Sequence, residues 1–165
     1  MLLIGLSLAV PTWISILYIN KVGRRPLFII GSLFMGLTLF ICGLGALNSW
    51  NMTAFLMILA FVVSFSTTHG PICWLYVPEV CVDAATGLAI ASQFINLTII
   101  AFAFEFMINS SLQVYGTIWY FSGFNLLGFF FFYFFVKETR GLTDLQKKTL
   151  YSPVSAVEVE MNQVK

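Results

Sequence analysis

Residues 27–47 read LFIIGSLFMGLTLFICGLGAL, a run of 21 residues without a charged side chain. At about 1.5 Å per residue, a helix of this length measures roughly 31 Å, enough to cross the ~30 Å hydrocarbon core of a bilayer. Four further apolar stretches occur at residues 2–19, 52–77, 88–108 and 118–136. They are continuous and not alternating, which favours helices over a membrane barrel. The sequence therefore predicts an all-α polytopic membrane protein with five transmembrane helices.

The overall composition excludes several classes of protein. Hydrophobic residues make up 59% of the chain and charged residues 9%, which is unlike a soluble globular domain. A net charge of +1 offers no basic patch for a nucleic acid. Cys42, Cys73 and Cys81 lack the paired spacing of a zinc or redox site and are interpreted as free thiols. No nucleophile and base stand together either, so we expect no enzyme, no metal and no cofactor.

The basic residues all fall in the gaps that follow the first and fifth apolar stretches. They are Lys21, Arg24 and Arg25 after the first, and Lys137, Arg140, Lys147, Lys148 and Lys165 after the fifth. The positive-inside rule then places the amino terminus outside and the carboxyl terminus in the cytoplasm. We expect residues 1–141 to form the transmembrane bundle and residues 142–165 a largely disordered cytoplasmic tail, with a short amphipathic helix at 145–150.

Three polar clusters lie at the cytoplasmic ends of the stretches. They are residues 20–26 (NKVGRRP), 70–79 (GPICWLYVPE) and 137–141 (KETRG). Because the three clusters share one depth, their opposite charges are expected to pair and to hold the cytoplasmic side closed. The residues of this expected gate are Arg24, Arg25, Glu79, Glu138 and Arg140.

These clusters, in this order and at these helix intervals, resemble the sugar porters, the hexose and pentose transporters of the major facilitator superfamily. That family carries Asp-Arg-x-Gly-Arg-Arg after its eighth helix, Gly-Pro-x-x-Trp and a Glu in its tenth, and Pro-Glu-Thr-Lys-Gly after its twelfth. The resemblance covers Met1 to about Lys148 and implies helices eight to twelve, an incomplete carboxy-terminal domain. The chain departs from the pattern at Asn20, where the family has Asp, and at Cys73 and Lys137, where it has Pro.

The resemblance also implies which side chains contact a sugar. Trp74 matches the tenth-helix Trp, and Asn96 falls within one residue of an eleventh-helix amide position, with Gln93 one turn earlier. Ser66 aligns with a position that holds a carboxylate in some hexose carriers. A pyranose needs amides, hydroxyls and an aromatic face, which suits these residue types. The alternatives are a membrane-interface anchor for Trp74 and hydrogen bonding between helices for the two amides.

A helix break is expected inside the third stretch. The polar segment 66–69 (STTH) precedes Gly70 and Pro71. Proline removes a backbone hydrogen bond and clashes with the preceding turn, and glycine permits the bend. In transporters such interruptions occur beside the substrate cavity. We interpret His69 as a hydrogen-bonded side chain of the pore, with a proton relay as the alternative.

The resemblance thus implies a hexose transporter that works by alternating access, represented by an incomplete carboxy-terminal fragment in a plasma membrane. Facilitated diffusion is favoured over proton coupling because no carboxylate occurs at mid-membrane. The expected partners are a hexose or pentose, the lipid bilayer, and the missing amino-terminal helices or a partner carrier. One alternative is a non-transporting truncated protein that associates with full-length carriers. Another is a piece of a longer product whose start is misassigned at Met1.

Overall fold

The computed structural model describes residues 11–13, 15, 19 and 22–151. Most of the predicted first span, 2–19, and residues 152–165 of the predicted tail lie outside the described residues, as do Asn20 and Lys21. Every regular element within 22–151 is an α-helix. The helices are α1 (Arg24–Leu47), α2 (Asn51–Thr67), α3 (His69–Val80), α4 (Asp83–Ile108), α5 (Gln113–Phe135) and α6 (Asp144–Lys148).

Four helical segments among the described residues are long and apolar enough to cross a membrane. They are α1, α4, α5 and the consecutive pair α2 and α3, which together run from Asn51 to Val80. The helices begin up to five residues before the apolar stretches, as at Asp83 against the predicted 88. Hydropathy locates the hydrocarbon core, whereas the backbone hydrogen bonds of a helix continue into the polar residues beside it.

Helices α1 and α5 form the tightest pair, and small residues allow their approach. The Ser122 hydroxyl donates to the Gly36 carbonyl at 2.8 Å, and the Trp119 indole N–H donates to the Phe40 carbonyl at 3.2 Å. A methyl group at Gly43 would collide with the Trp119 ring. The small residues of α1 therefore allow α5 to pack closely against it. At this short distance, side chains of α5 can donate hydrogen bonds to backbone carbonyls of α1.

The chain is interrupted between α2 and α3 at Thr68, whose φ and ψ are −115° and −81°. Gly70 and Pro71, where the break is expected from sequence, lie in the first turn of α3. Pro71 has no N–H to offer the Thr67 carbonyl one turn earlier, and the Ser15 hydroxyl donates to that carbonyl instead. A neighbouring helical residue thus satisfies the backbone group that proline leaves open.

Helix α4 is the least buried of the four candidate spans within the described residues. None of its residues is buried. Its ring contacts with neighbouring helices are Phe94 with Trp74 at 6.5 Å and Phe104 with Phe121 at 5.7 Å between centroids. An apolar helix with no buried face is open to lipid or to further protein.

The described part of the tail folds against the end of the bundle that carries Arg24 and Glu79. Helix α6 overlaps the predicted helix at 145–150 and begins with a capping box between Thr143 and Gln146. The Tyr151 hydroxyl accepts from the Lys137 N–H at 3.0 Å, donates to the Phe135 carbonyl at 3.1 Å and lies 2.7 Å from the Tyr76 hydroxyl. Tyr151 therefore attaches the tail to the ends of α3 and α5.

Candidate functional site

The Glu138 carboxylate lies at the amino terminus of α1. Its two oxygens accept from the backbone N–H groups of Arg24 at 3.0 Å and Arg25 at 3.1 Å. The first N–H groups of a helix have no partner within the helix, and the helix dipole favours an anion there. Thr139 and Arg140 also donate backbone N–H groups to the same carboxylate, each at 3.0 Å. Glu138 thus acts as a side-chain cap that joins the segment after α5 to the start of α1.

This arrangement differs from the simple charge pairing expected from sequence. Among the described residues, Glu138 forms no ion pair with an arginine side chain, and Arg140 takes part through its backbone N–H. The Arg25 guanidinium donates to the Tyr133 carbonyl at 2.9 Å, near the carboxyl end of α5. A cation there complements the helix dipole. Helices α1 and α5 therefore cap each other with opposite charges.

Arg24 and Glu79 form the ion pair of the cluster. The guanidinium lies 2.8 Å from one carboxylate oxygen, with side chains 13% and 19% exposed. The other Glu79 oxygen accepts from the Thr139 hydroxyl at 2.9 Å, and the Lys147 ammonium is 3.8 Å from the first. Glu79 therefore connects α3 with α1, with the segment after α5 and with α6. The contributions of Thr139 and Lys147 were not predicted, although Thr139 directly follows Glu138 and Lys147 lies within the predicted helix at 145–150.

Gly23 is required where the chain enters α1. Its φ of +96° lies in the left-handed region, which disfavours residues with a Cβ. A Cβ at this position would also lie only 2.6 Å from a Glu138 oxygen. The Glu138 carboxylate can reach the amino terminus of α1 because Gly23, the residue before the helix, has no side chain.

A cavity of about 400 Å³ lies between α1, α3, α4 and α5. This volume is within the range of small-molecule sites, which is roughly 300–1,000 Å³. Its lining combines aromatic rings with a few polar groups, and it includes His69, Trp74 and Gln93. Trp74 is 49% exposed, so its ring is available to a ligand. The arrangement provides an aromatic face, an amide and an imidazole within one cavity.

Two of the four residues predicted to contact sugar, Trp74 and Gln93, line this cavity. Asn96 is exposed on α4 and donates to the Ser92 carbonyl at 2.9 Å, one turn earlier on its own helix. Ser66 is 4% exposed at the end of α2, and its hydroxyl has no hydrogen-bond partner within the described part of the chain. The structure thus brings Trp74 and Gln93 together and leaves the other two outside the lining.

Comparisons with known proteins give the family and the fold. The family model described as "Sugar (and other) transporter" matches residues 1–149. The D-xylose-proton symporter of Escherichia coli strain K12 is 29% identical over 152 residues, covering 86% of this chain and 31% of the symporter. The facilitated trehalose transporter of Drosophila yakuba is 29% identical over 167 residues, covering 90% of this chain and 19% of that transporter.

A solved structure shows the same fold. The proton:xylose symporter XylE of E. coli, bound to 6-bromo-6-deoxy-D-glucose, superimposes with a TM-score of 0.83 and 26% identity. The match covers 91% of this chain and 34% of the symporter chain. The chain spans less than a third of the length of the curated relatives described above.

Proposed function

The chain belongs to the sugar (and other) transporter family, and on that premise we propose that it forms part of a membrane carrier for a sugar. The family and the apolar helices make it an integral membrane protein. The resemblance to sugar porters is confirmed, as are the all-α membrane fold and the likeness to an incomplete domain of the major facilitator superfamily. Its relatives are transporters, so the prediction that the chain is not an enzyme is also confirmed.

The observation that carries the proposal is the cavity beside the interrupted helix. Trp74 offers a face for the C–H groups of a pyranose, and Gln93 offers both a donor and an acceptor for its hydroxyls. Relatives named for xylose, trehalose and hexose support a sugar as the substrate class. Asn96 and Ser66 remain predicted contacts, which would need rotation of α4 and α2 or a ligand that reaches beyond this cavity.

The cytoplasmic cluster is proposed to act as the gate of an alternating-access cycle. The Arg24–Glu79 ion pair, together with the Glu138 cap, ties the ends of α1, α3 and α5 together. Separating α3 from α1 would leave partly buried charges without partners, which is costly. Opening toward the cytoplasm therefore requires these contacts to be replaced by contacts with water. The strength of the contacts sets the balance between the inward-open and the outward-open state.

The sequence also supports proposals for the position of the chain within the carrier, its substrate, its mode of transport and its orientation. We assign the chain to helices eight to twelve of a carrier, with a hexose as substrate and facilitated diffusion as the mode of transport. No carboxylate occurs in the middle of the described spans, which supports diffusion over proton coupling. The one-sided basic residues support a cytoplasmic carboxyl terminus in the plasma membrane.

A chimera tests the sugar-carrier proposal. Residues 1–149 would replace the matching segment of the D-xylose-proton symporter, and uptake of D-xylose, D-glucose and trehalose would be measured in cells. We expect saturable uptake of at least one of these sugars, no uptake of L-glucose, and loss of uptake in Trp74→Ala. The matched control is Trp50→Ala, which removes an exposed indole in the turn before α2. A chimera that reaches the membrane in normal amount and carries none of the sugars would contradict the proposal.

A second candidate is a non-transporting protein that associates with a complete carrier. The observation that favours it is α4, which has no buried residue and exposes Asn96 and Glu105. Polar groups on a membrane helix favour contact with further protein over contact with lipid. Co-purification with a co-expressed full-length carrier, reduced by Asn96→Leu, is the expected result. If the 165-residue chain alone gave saturable uptake into liposomes, this candidate and the fragment proposal would both be wrong.

A further inference from the structure

The only histidine of the sequence, His69, lies at the start of α3 and contacts both α1 and α5. Its Nε2 is 3.1 Å from the Ser32 hydroxyl of α1, and its Nδ1 is 3.1 Å from the Thr68 hydroxyl. The ring also packs edge-on against Phe28 and Phe132, with centroids 5.3 Å and 5.2 Å away. Both ring nitrogens therefore lie within hydrogen-bond distance of a hydroxyl, and the ring packs on the stacked pair of Phe28 and Phe132.

The opposing surface of α1 is shaped to receive this ring. A Cβ at Gly31 would collide with the Thr68 side chain and would lie 3.1 Å from His69 Cε1. Ser32 is buried, and its hydroxyl lies within hydrogen-bond distance of both His69 and the Phe28 carbonyl. A glycine and a serine in adjacent positions thus provide the space and the polar partner that an imidazole needs.

Helix α3 has polar side-chain contacts near its two ends, and Ile72 between them packs in the buried core with Phe28. At its far end, the Tyr76 hydroxyl donates to the Lys137 carbonyl at 2.9 Å and Glu79 pairs with Arg24. At its near end, the backbone is interrupted at Thr68, so the hydrogen bonds of His69 are the polar side-chain contacts that tie this end to α1. Trp74 lies between these attachments and is half exposed.

We propose that His69 is a positioning residue for the sugar site, because its bond to Ser32 sets the rotation of α3 and hence the direction of Trp74. A rotation of about 20° moves an atom about 6 Å from a helix axis by roughly 2 Å. Displacements of about 1 Å are enough to impair a binding or catalytic constellation. Loss of the His69–Ser32 bond through Ser32→Ala therefore reorients Trp74 without removing a residue that lines the cavity. The role rests on the proposed sugar-carrier function.

Fluorine NMR of the full 165-residue chain in lipid nanodiscs tests this inference. Fluorotryptophan labels Trp13, Trp50, Trp74 and Trp119, and a Trp74→Phe sample assigns the resonance of interest. The tests are substitutions that remove the bond or preserve it. Ser32→Ala and His69→Phe remove the His69–Ser32 bond. His69→Gln keeps a side-chain N–H donor at position 69. Thr38→Val is the matched control on α1.

We expect Ser32→Ala and His69→Phe to shift and broaden the Trp74 resonance while the Trp50 resonance stays in place. His69→Gln should restore the wild-type position. Thr38→Val should leave the Trp74 resonance unchanged, because the Thr38 hydroxyl bonds only the Met35 carbonyl of its own helix. An unchanged Trp74 resonance in Ser32→Ala would overturn the inference. Because this variant removes only one hydroxyl group, it still provides the test if His69→Phe fails to fold.

Titration with D-glucose separates the two proposals. Under the proposed function, the sugar shifts the Trp74 resonance of the wild-type chain, and the apparent Kd rises several-fold in Ser32→Ala. If the sugar has no effect on the wild-type chain while Ser32→Ala still displaces the Trp74 resonance, the sugar site is refuted and the positioning of Trp74 by His69 is supported.

Discussion

Removal of the Glu138 carboxylate should destabilise the bundle through the start of α1. Glu138→Ala deprives the N–H groups of Arg24 and Arg25 of their acceptor, at 3.0 Å and 3.1 Å. Loss of a helix cap costs about 1 kcal/mol, and loss of an anion at a helix amino terminus costs about 0.5–1 kcal/mol. We therefore expect the free energy of unfolding to fall by about 2 kcal/mol.

Glu138→Gln should cost about half as much, because the amide oxygen can still accept one N–H while the charge is lost. The measurement is reversible unfolding of the purified chain in mixed detergent micelles, followed by circular dichroism. Asp144→Ala is the matched control, since the Asp144 side chain is 96% exposed and bonds only Lys147 in the next turn. Because this exposed charge lies in the first turn of α6, its loss should cost no more than about 0.3 kcal/mol. A Glu138→Ala curve within about 0.5 kcal/mol of wild type would refute the capping role.

Three further predictions test the surroundings of this cap and the topology. Gly23→Ala and Gly141→Ala both place a Cβ at a positive φ, but only Gly23 faces the Glu138 carboxylate; we therefore expect Gly23→Ala to cost about 1–3 kcal/mol more in the same assay. A double-mutant cycle of Arg24→Ala with Glu79→Gln should give a coupling free energy of about 1–2 kcal/mol, and simple additivity would contradict the pair. Ser110→Cys in a cysteine-free background should react with an impermeant maleimide from outside intact cells; labelling only after permeabilisation would reverse the orientation.

Hydropathy was sufficient to predict the helical fold but not the helix ends. Charge-free runs such as 27–47 identify segments that only a bilayer or a core can hold, so the number and order of the described spans followed from composition. The amino-terminal ends of α4 and α5 lie about five residues earlier than predicted, at Asp83 and Gln113. Polar residues beside a span extend the helix without any hydropathy signal.

The charge cluster was partly predictable. Arg24 and Glu79 carry opposite charges at one depth, which is enough to propose their contact. The partners of Glu138 are backbone N–H groups, and a sequence does not reveal toward which side chain a helix terminus is directed. Tyr151 was missed because an aromatic residue in a polar tail gives no indication of the surface it contacts.

The candidate sugar site shows a similar limit. Trp74 and Gln93 meet in one cavity although they stand 19 positions apart, and both were predicted from the resemblance and not from any local pattern. Asn96 follows Gln93 by three residues, and this spacing turns its side chain about 60° away on a helix. That rotation is sufficient for Asn96 to bond its own helix instead of lining the cavity.

Saturation-transfer NMR of D-xylose and D-glucose with the 165-residue chain in nanodiscs measures whether Trp74 belongs to a sugar site, because it detects weak binding to an incomplete site. We expect saturation of the D-sugar protons by the wild-type chain and by Trp50→Ala, a several-fold weaker effect with Trp74→Ala, and none for L-glucose. Equal saturation with Trp74→Ala and wild type, or equal saturation of D- and L-glucose, would contradict a sugar site at Trp74.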